Sequence, residues 1–185
     1  MKIQDVHFSL KDGRSAILRS PIAEDAQGTL EHLRISAEET EHLLLTIEDF
    51  RAFDTESIRA YLEKKNETEY EAFIVCIVDG KVAGNCKIAF NDRIKTRHRA
   101  SVGIALLKEY WNLGIGKRMF EEMIRLAQQH EEVTQLELEF IEGNDRGRVL
   151  YEKMGFRIAG IHPNAVRQRD GRYCNEYLMI REMKR

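Results

Sequence analysis

Much of what would mark a function class is missing from this sequence. Its 185 residues show no excess of charge: 29 Lys and Arg stand against 31 Asp and Glu, for a formal net charge of -2. A chain that grips nucleic acid through its phosphates normally shows a clear basic excess, so a nucleic-acid partner is not expected. No apolar run approaches the roughly 20 residues of a membrane span, so no membrane partner is expected either. Met1-Lys2-Ile3-Gln4-Asp5 opens without a hydrophobic signal segment. Cysteine is scarce. Cys76, Cys86 and Cys174 are odd in number and widely spaced, with no Cys-x-x-Cys and no paired His. They read as small buried hydrophobes in a reduced, cytoplasmic protein, not as a disulfide framework or a metal site. Internal repeats, low-complexity tracts and linkers are also absent. Residues 1–185 therefore read as one domain with core enough to fold alone.

What is present is organised around residues 100–130. Ala100-Ser101-Val102-Gly103-Ile104-Ala105-Leu106-Leu107 is small and apolar, with the length of a buried strand. Trp111-Asn112-Leu113-Gly114-Ile115-Gly116 follows as a turn whose glycines permit positive φ and close approach of a ligand. From Ile115 the pattern is helical: Ile115, Met119, Met123 and Ala127 recur every four residues, with Phe120 and Ile124 beside them. Strand, glycine turn and helix together leave backbone N–H groups unpaired at a helix N-terminus, where a phosphate or pyrophosphate binds readily. A tight turn alone would account for the same residues. The Walker spacing is missing, and so is the third glycine of a dinucleotide fingerprint.

The rest of the chain supplies a sheet. Val6-His7-Phe8-Ser9-Leu10 and Ser15-Ala16-Ile17-Leu18-Arg19 alternate around Asp12-Gly13, a hairpin signal. Helices are expected over residues 23–36 and 55–65, the second capped by Asp54 or Thr55. Residues 72–78 and 82–90 read as a strand pair joined at Asp79-Gly80, with Gly84 marking a bulge or a close backbone contact. Gln135-Leu136-Glu137-Leu138-Glu139-Phe140-Ile141 alternates as a strand. A helix opens at Asn144 and stops at Gly155. Strands return over residues 156–161 and 173–183. The order is that of an α/β protein with a mixed sheet. Two charged stretches stay open in meaning. Glu38, Glu39, Glu41 and Glu48 form either a solvated loop or an acidic lip that attracts a cationic amine. Arg93, Lys95, Arg97, His98 and Arg99 form either a solvated connection or a contact for a ligand phosphate.

A second motif runs from Asn144 to Phe156: Asn144-Asp145-Arg146-Gly147-Arg148-Val149-Leu150-Tyr151-Glu152-Lys153-Met154-Gly155-Phe156. Asn144 and Tyr151 are seven residues apart, so both lie on one helix face, roughly 10 Å apart along the axis. They would line one edge of an extended ligand, or serve as an N-cap and a half-buried aromatic. Taken together, the two motifs resemble the GNAT superfamily of acyl-CoA-dependent N-acetyltransferases. That family carries Arg/Gln-x-x-Gly-x-Gly/Ala after a strand, here residues 111–116. It also carries Asn followed by Ala-x-x-Leu-Tyr-x-x-x-Gly-Phe, here Asn144 through Leu150-Tyr151 to Gly155-Phe156. Two departures stand out. Trp111 replaces the common Arg or Gln, although the subgroup acting on protein N-termini and small amines often has Tyr-Trp there. Gly147 replaces Ala, at a helix cost of up to about 1 kcal/mol.

The resemblance implies a single-domain α/β fold, with a central mixed, mostly antiparallel sheet flanked by helices on both faces. It implies acetyl-CoA as cosubstrate, with no metal, and direct attack of an amine on the thioester. Backbone N–H groups of Asn112, Leu113, Gly114, Ile115, Gly116 and Lys117 would cradle the pyrophosphate. Ile104, Ala105 and Leu106 would pair with the pantetheine arm like an added strand, and Asn144 would hydrogen-bond it. Tyr151 would protonate or hydrogen-bond the leaving thiolate. Glu139 matches a position that serves as base in relatives acting on protein N-termini, although a strand surface carboxylate is the plainer reading. Glu39 and Thr40 precede the region that shapes the acceptor pocket, which makes them candidate substrate contacts. The acceptor is expected to be a small amine, an amino acid or a peptide amine. A non-catalytic acyl-CoA-binding regulatory module is the alternative, since it would need the glycines but neither Tyr151 nor Glu139. The final strand, if exposed, offers an edge for a homodimer.

Overall fold

A computed structural model describes residues 1–183. Eight strands form one twisted sheet in the order β1-β2-β3-β4-β5-β6-β8-β7. The first two are the expected hairpin, β1 (Val6–Ser9) and β2 (Ser15–Arg19). Helix α1 (Ala26–Glu39) runs three residues past its expected end and is preceded by a 3-10 turn at Ala23–Asp25. Helix α2 (Thr55–Glu67) is capped by Asp54, which accepts from the Ser57 N–H at 2.8 Å. No α-helix forms between α1 and α2; a single 3-10 turn at Asp49–Ala52 interrupts the loop.

Strands β3 (Glu71–Val78), β4 (Lys81–Phe90) and β5 (Arg99–Leu106) pair antiparallel. The β3–β4 register slips between Cys76 and Ile77, next to Gly84. A Cβ on Gly84 would stand 2.6 Å from the Ala105 carbonyl oxygen, so β4 and β5 approach here only because the residue is glycine. Helix α3 (Ile115–Gln128) then crosses over to β6 (Gln135–Ile141), which lies parallel to β5. A short helix, α4 (Asp145–Lys153), leads to β7 (Arg157–Arg167) and β8 (Tyr173–Glu182), which return antiparallel.

Helices cover both faces. Ala26, Leu30, Ile58 and Leu62 of α1 and α2 pack on Phe73, Val75 and Val82. On the opposite face, Met119, Phe120, Met123 and Tyr151 of α3 and α4 pack on Cys86, Ile88, Leu136, Leu138 and Phe140. The four-residue periodicity of α3 is the cause: Ile115, Met119, Phe120, Met123 and Ala127 are fully buried. Each large side chain among them contributes roughly 1.5–3 kcal/mol. The three cysteines are free and buried. Burial pushes the Cys76 thiol up to about 12, which removes it as a nucleophile.

One expectation is corrected. The final strand is not an edge. β6 pairs with one side of β8 and β7 with the other. The turn at residues 168–172 folds β8 back between them, so the exposed edges of the sheet belong to β1 and β7.

Candidate active site

The sheet opens in its middle. β5 pairs with β4 over Ala100–Leu106, yet with β6 only at Arg99, Ala100 and Ser101. Beyond Ser101 the two parallel strands part, and the far half of β5 has a free edge. Alternation decides which residues offer it. The Leu107 N–H donates to the Ala83 carbonyl on β4 at 3.1 Å. Ala105 and Gly103 share that parity and turn their amides to β4, whereas Ile104 and Leu106 turn theirs into the gap. Of the three expected strand contacts, Ile104 therefore presents a free N–H and C=O, and Leu106 a free N–H, its carbonyl accepting from the Trp111 indole at 2.8 Å. Ala105 contributes its place in the strand.

The glycine turn closes one end of this gap. Gly114 has φ +95 and forms the N-cap of α3, and Asn112 has φ +65. The first helical donor is the Arg118 N–H, which reaches the Gly114 carbonyl at 3.2 Å. The N–H groups of Ile115, Gly116 and Lys117 precede it and have no helical acceptor, so they point out of the helix as anion donors. A Cβ on Gly116 would come within 3.0 Å of Leu150 Cδ2, so its smallness lets α3 and α4 meet at the mouth of the gap. The basic stretch around Arg93 to Arg99 lies at the other end of β5, roughly 23 Å away along the strand. There Arg97 and Arg99 pair with Glu132 and Glu137.

Helix α4 forms the opposite wall. Asn144 is its N-cap, with Oδ1 accepting from the Gly147 N–H at 3.0 Å. A Cβ on Gly147 would stand 2.7 Å from both terminal atoms of the Asn144 side chain, so the glycine makes room for this cap. Tyr151 is 7% exposed and sits between the rings of Phe120 and Phe140, at centroid distances of 5.5 and 5.8 Å. Burial pushes its phenol up to about 12, which keeps it protonated at neutral pH. A phenol in that state donates a hydrogen bond or a proton.

Glu139 lies on the other face of β6. Leu138 and Phe140 point toward α3 and α4, so alternation sends Glu139 to the face that α1 and α2 cover further along the sheet. No helix covers it here. It borders an open groove of about 230 Å³ lined by Gly160, Ile161, His162, Glu176 and Leu178. Its carboxyl is raised above the ordinary value, first by burial and then by the like charges of Glu176 and Glu137, against the opposing effect of His162. A carboxylate shifted in this direction is a better proton acceptor near neutrality. Tyr151 and Glu139 thus sit on opposite faces of one strand, and the gap between β5 and β6 is where the two faces communicate.

Glu39 and Thr40 serve the backbone. Glu39 Oε2 accepts from the Lys108 N–H at 2.8 Å, tying the end of α1 to the turn after β5. Thr40 Oγ1 accepts from the His42 N–H at 3.1 Å. The loop that follows is strapped to the β7–β8 turn: Arg172 pairs with Glu41 at 3.3 Å, and Arg169 with Glu48 at 2.6 Å. Two carboxylates of the acidic lip are therefore neutralised. Glu139 and Glu176 add negative charge at the groove between β6, β8 and β7.

Sequence reasoning missed His32, Asn85, His162 and Glu176. His32 is 1% exposed inside α1. Its Nδ1 lies 3.2 Å from Asn85 Nδ2, and its Nε2 lies 3.3 Å from Ser36 Oγ. Burial lowers the ring to about 4, so it is neutral at pH 7. Asn85 is paired across β4–β5 with Ala105, and the His32 network stands directly behind the open strand. Glu176 and His162 face each other across β8 and β7. No local spacing connects these residues with Glu139; only the strand order does. Among the described residues no cluster of three metal-ligating side chains occurs, and no helix is long and apolar enough to cross a membrane.

The acetyltransferase (GNAT) family model matches residues 37–156. The L-amino acid N-acetyltransferase AaaT of Escherichia coli (strain K12) is 30% identical over 108 residues, which are 58% of this chain and 66% of that protein's length. The crystal structure of the GNAT-family acetyltransferase from Streptococcus pneumoniae superimposes with a TM-score of 0.82 at 26% identity, covering 91% of this chain and 99% of the other. YncA from Salmonella typhimurium, solved with its cofactor acetyl-CoA, shares the fold with a TM-score of 0.75 at 17% identity, covering 91% and 94% of the two chains.

Proposed function

The chain belongs to the acetyltransferase (GNAT) family, and from that premise we propose that it moves an acetyl group from acetyl-CoA to the primary amine of a small molecule, foremost an amino acid. The observation that carries this reading is the gap between β5 and β6, with a strand edge left open at Ile104 and at the Leu106 N–H and a donor-rich helix start at its end. A strand edge suits the amide-bearing pantetheine arm. The amides of residues 112–117 suit a pyrophosphate, and Asn144 Nδ2 remains a donor while Oδ1 caps the helix.

The residues on either side of the gap divide the chemistry. An alkylammonium titrates near about 10, so the amine must lose a proton before it attacks. Glu139 accepts that proton, directly or through water, in the groove where Glu176 also attracts the cation. The amine nitrogen bonds to the thioester carbon as the carbon–sulfur bond breaks. A strand N–H facing the gap donates to the carbonyl oxygen as it becomes negative. Tyr151, on the other face, gives its proton or a hydrogen bond to the departing sulfur. Base and acid thus act on different atoms bonded to one carbon, the base on the incoming nitrogen and the acid on the departing sulfur.

The amino-acid preference draws on the similarity to the E. coli L-amino acid acetyltransferase. A peptide amine is the runner-up acceptor. Thiol release from acetyl-CoA against amino acids, polyamines and short peptides tests the reading. Release with amino acids is the expected result. Acetyl-CoA binding without release for any amine would overturn catalysis in favour of a regulatory module. We place the protein in the cytoplasm, in keeping with its three free thiols. A homodimer would use the β1 or β7 edge, and sedimentation showing only monomer at micromolar concentration would remove it.

A further inference from the structure

The only tryptophan of the chain stands at the start of the glycine turn with two cations near its ring. Arg146, the second residue of α4, holds Cζ 4.4 Å from the centroid of the Trp111 ring. Its Nη2 donates to Asn112 Oδ1 at 2.9 Å. Lys108 Nζ lies 5.9 Å from the same ring. The indole Nε1–H is committed elsewhere, donating to the Leu106 carbonyl at 2.8 Å. The turn is thereby tied back to β5 and across to α4.

Arg146 differs from its neighbour on the helix. Arg148 pairs with Glu152 at 2.9 Å. Arg146 is exposed and, among the described residues, forms no ion pair. One of its five donors is used and its full charge is uncompensated. Its contacts with Trp111 and Asn112 put it on the turn that leads into the helix start at Ile115, Gly116 and Lys117. A helix terminus offers only about half a positive charge, whereas a coenzyme A diphosphate carries two negative charges. Something else must balance the remainder.

We infer that Arg146 binds the coenzyme's phosphates, reaching the glycine turn from α4 and held in position by stacking on Trp111. This rests on the coenzyme reading proposed above. The indole supports the guanidinium from its face and leaves four of its five N–H donors unengaged, in the fork that phosphate oxygens accept in pairs. Trp111 occupies the place where the resembled motif commonly has Arg or Gln. In this chain the cation arrives from the facing element, and the aromatic ring orients it.

The test compares wild type with Arg146→Gln and Arg146→Lys on three acyl donors: acetyl-CoA, acetyl-dephospho-CoA, which lacks the 3′-phosphate, and acetyl-pantetheine, which lacks all phosphates. Unchanged melting temperatures would verify that both variants fold, as expected for an exposed side chain. For Arg146→Gln, the ratio of kcat/KM for acetyl-CoA to that for acetyl-pantetheine should fall about tenfold or more, the scale of a charge-assisted hydrogen bond. The salt dependence of acetyl-CoA binding, read by calorimetry, should become shallower. Arg146→Lys should recover part of the loss. A deficit that persists with acetyl-dephospho-CoA assigns the contact to the diphosphate; one that disappears assigns it to the 3′-phosphate. Equal losses for all three donors would overturn the inference and leave Arg146 as a support of the turn. No loss for any donor would overturn it as well. If wild type itself fails to bind acetyl-CoA, the coenzyme reading falls first.

Discussion

The two walls of the gap are built differently. The wall formed by β5 and α3 works with backbone: free amides at Ile104 and Leu106, and the helix start that Gly114 makes possible with φ +95. Its parts are contiguous in the chain. Beyond the gap the site works with side chains: Tyr151 on α4, Glu139 on β6, Glu176 on β8 and His162 on β7. These come from four separate elements. A backbone site tolerates side-chain change as long as the glycines remain. A side-chain site can be retuned by single substitutions, so the backbone wall should be the conservative one and the side-chain wall the adjustable one.

The strongest test of that contrast is Tyr151→Phe. It should lower turnover by roughly a hundredfold or more, the scale of a lost proton donor, while acetyl-CoA affinity stays near wild type. Equal turnover would remove Tyr151 from the chemistry. The next effect concerns stability. His32 is buried neutral, its ring lowered from 6.5 to about 4. A depressed base holds its full contribution above the unfolded value and loses it as pH falls toward the folded one. Between those limits the loss is roughly 3 kcal/mol. Urea unfolding at pH 7 and pH 4 should show this acid sensitivity in wild type and much less of it in His32→Gln. Matching pH profiles would show that the ring is not the sensor.

Glu139→Gln should depress the rate about tenfold to a hundredfold at neutral pH and less at high pH, where the amine loses its proton unaided. A uniform loss across pH would assign Glu139 to binding. Gly114→Ala touches the backbone wall. Nothing stands within 4 Å of the added Cβ, so the cost is conformational, about 1–2 kcal/mol for forcing positive φ. Calorimetry should detect weaker acetyl-CoA binding; an unchanged affinity would mean that the turn does not hold the coenzyme. The smallest effect is expected from Glu176→Gln. Removing that negative charge should lower the Glu139 carboxyl and move the acid limb of the rate profile to lower pH. A limb that stays in place would uncouple the two carboxylates.

Legibility in the sequence follows the same division. The period of α3, the Asp54 cap, the glycine turn and the strand at β6 were all readable, because each is set by neighbours within one element. The final strand was misjudged as an edge, since nothing in residues 173–183 says which strand will lie on either side. The partners of the acidic stretch were not readable for a similar reason. Glu41 and Glu48 meet Arg172 and Arg169 only after the chain has crossed the sheet. Gly147 looked like a helix defect until the Asn144 side chain was seen to fold over it.

By itself, the sequence determined the α/β class, the helical faces and the glycine turn, because dihedral preference and hydrophobic period act over a few residues. Only the tertiary structure decided where β5 and β6 part, which faces Tyr151 and Glu139 take beside that gap, and which distant charges surround them. The opening is a consequence of strand order: a parallel pair joined through α3 diverges after Ser101, and no local propensity encodes that divergence.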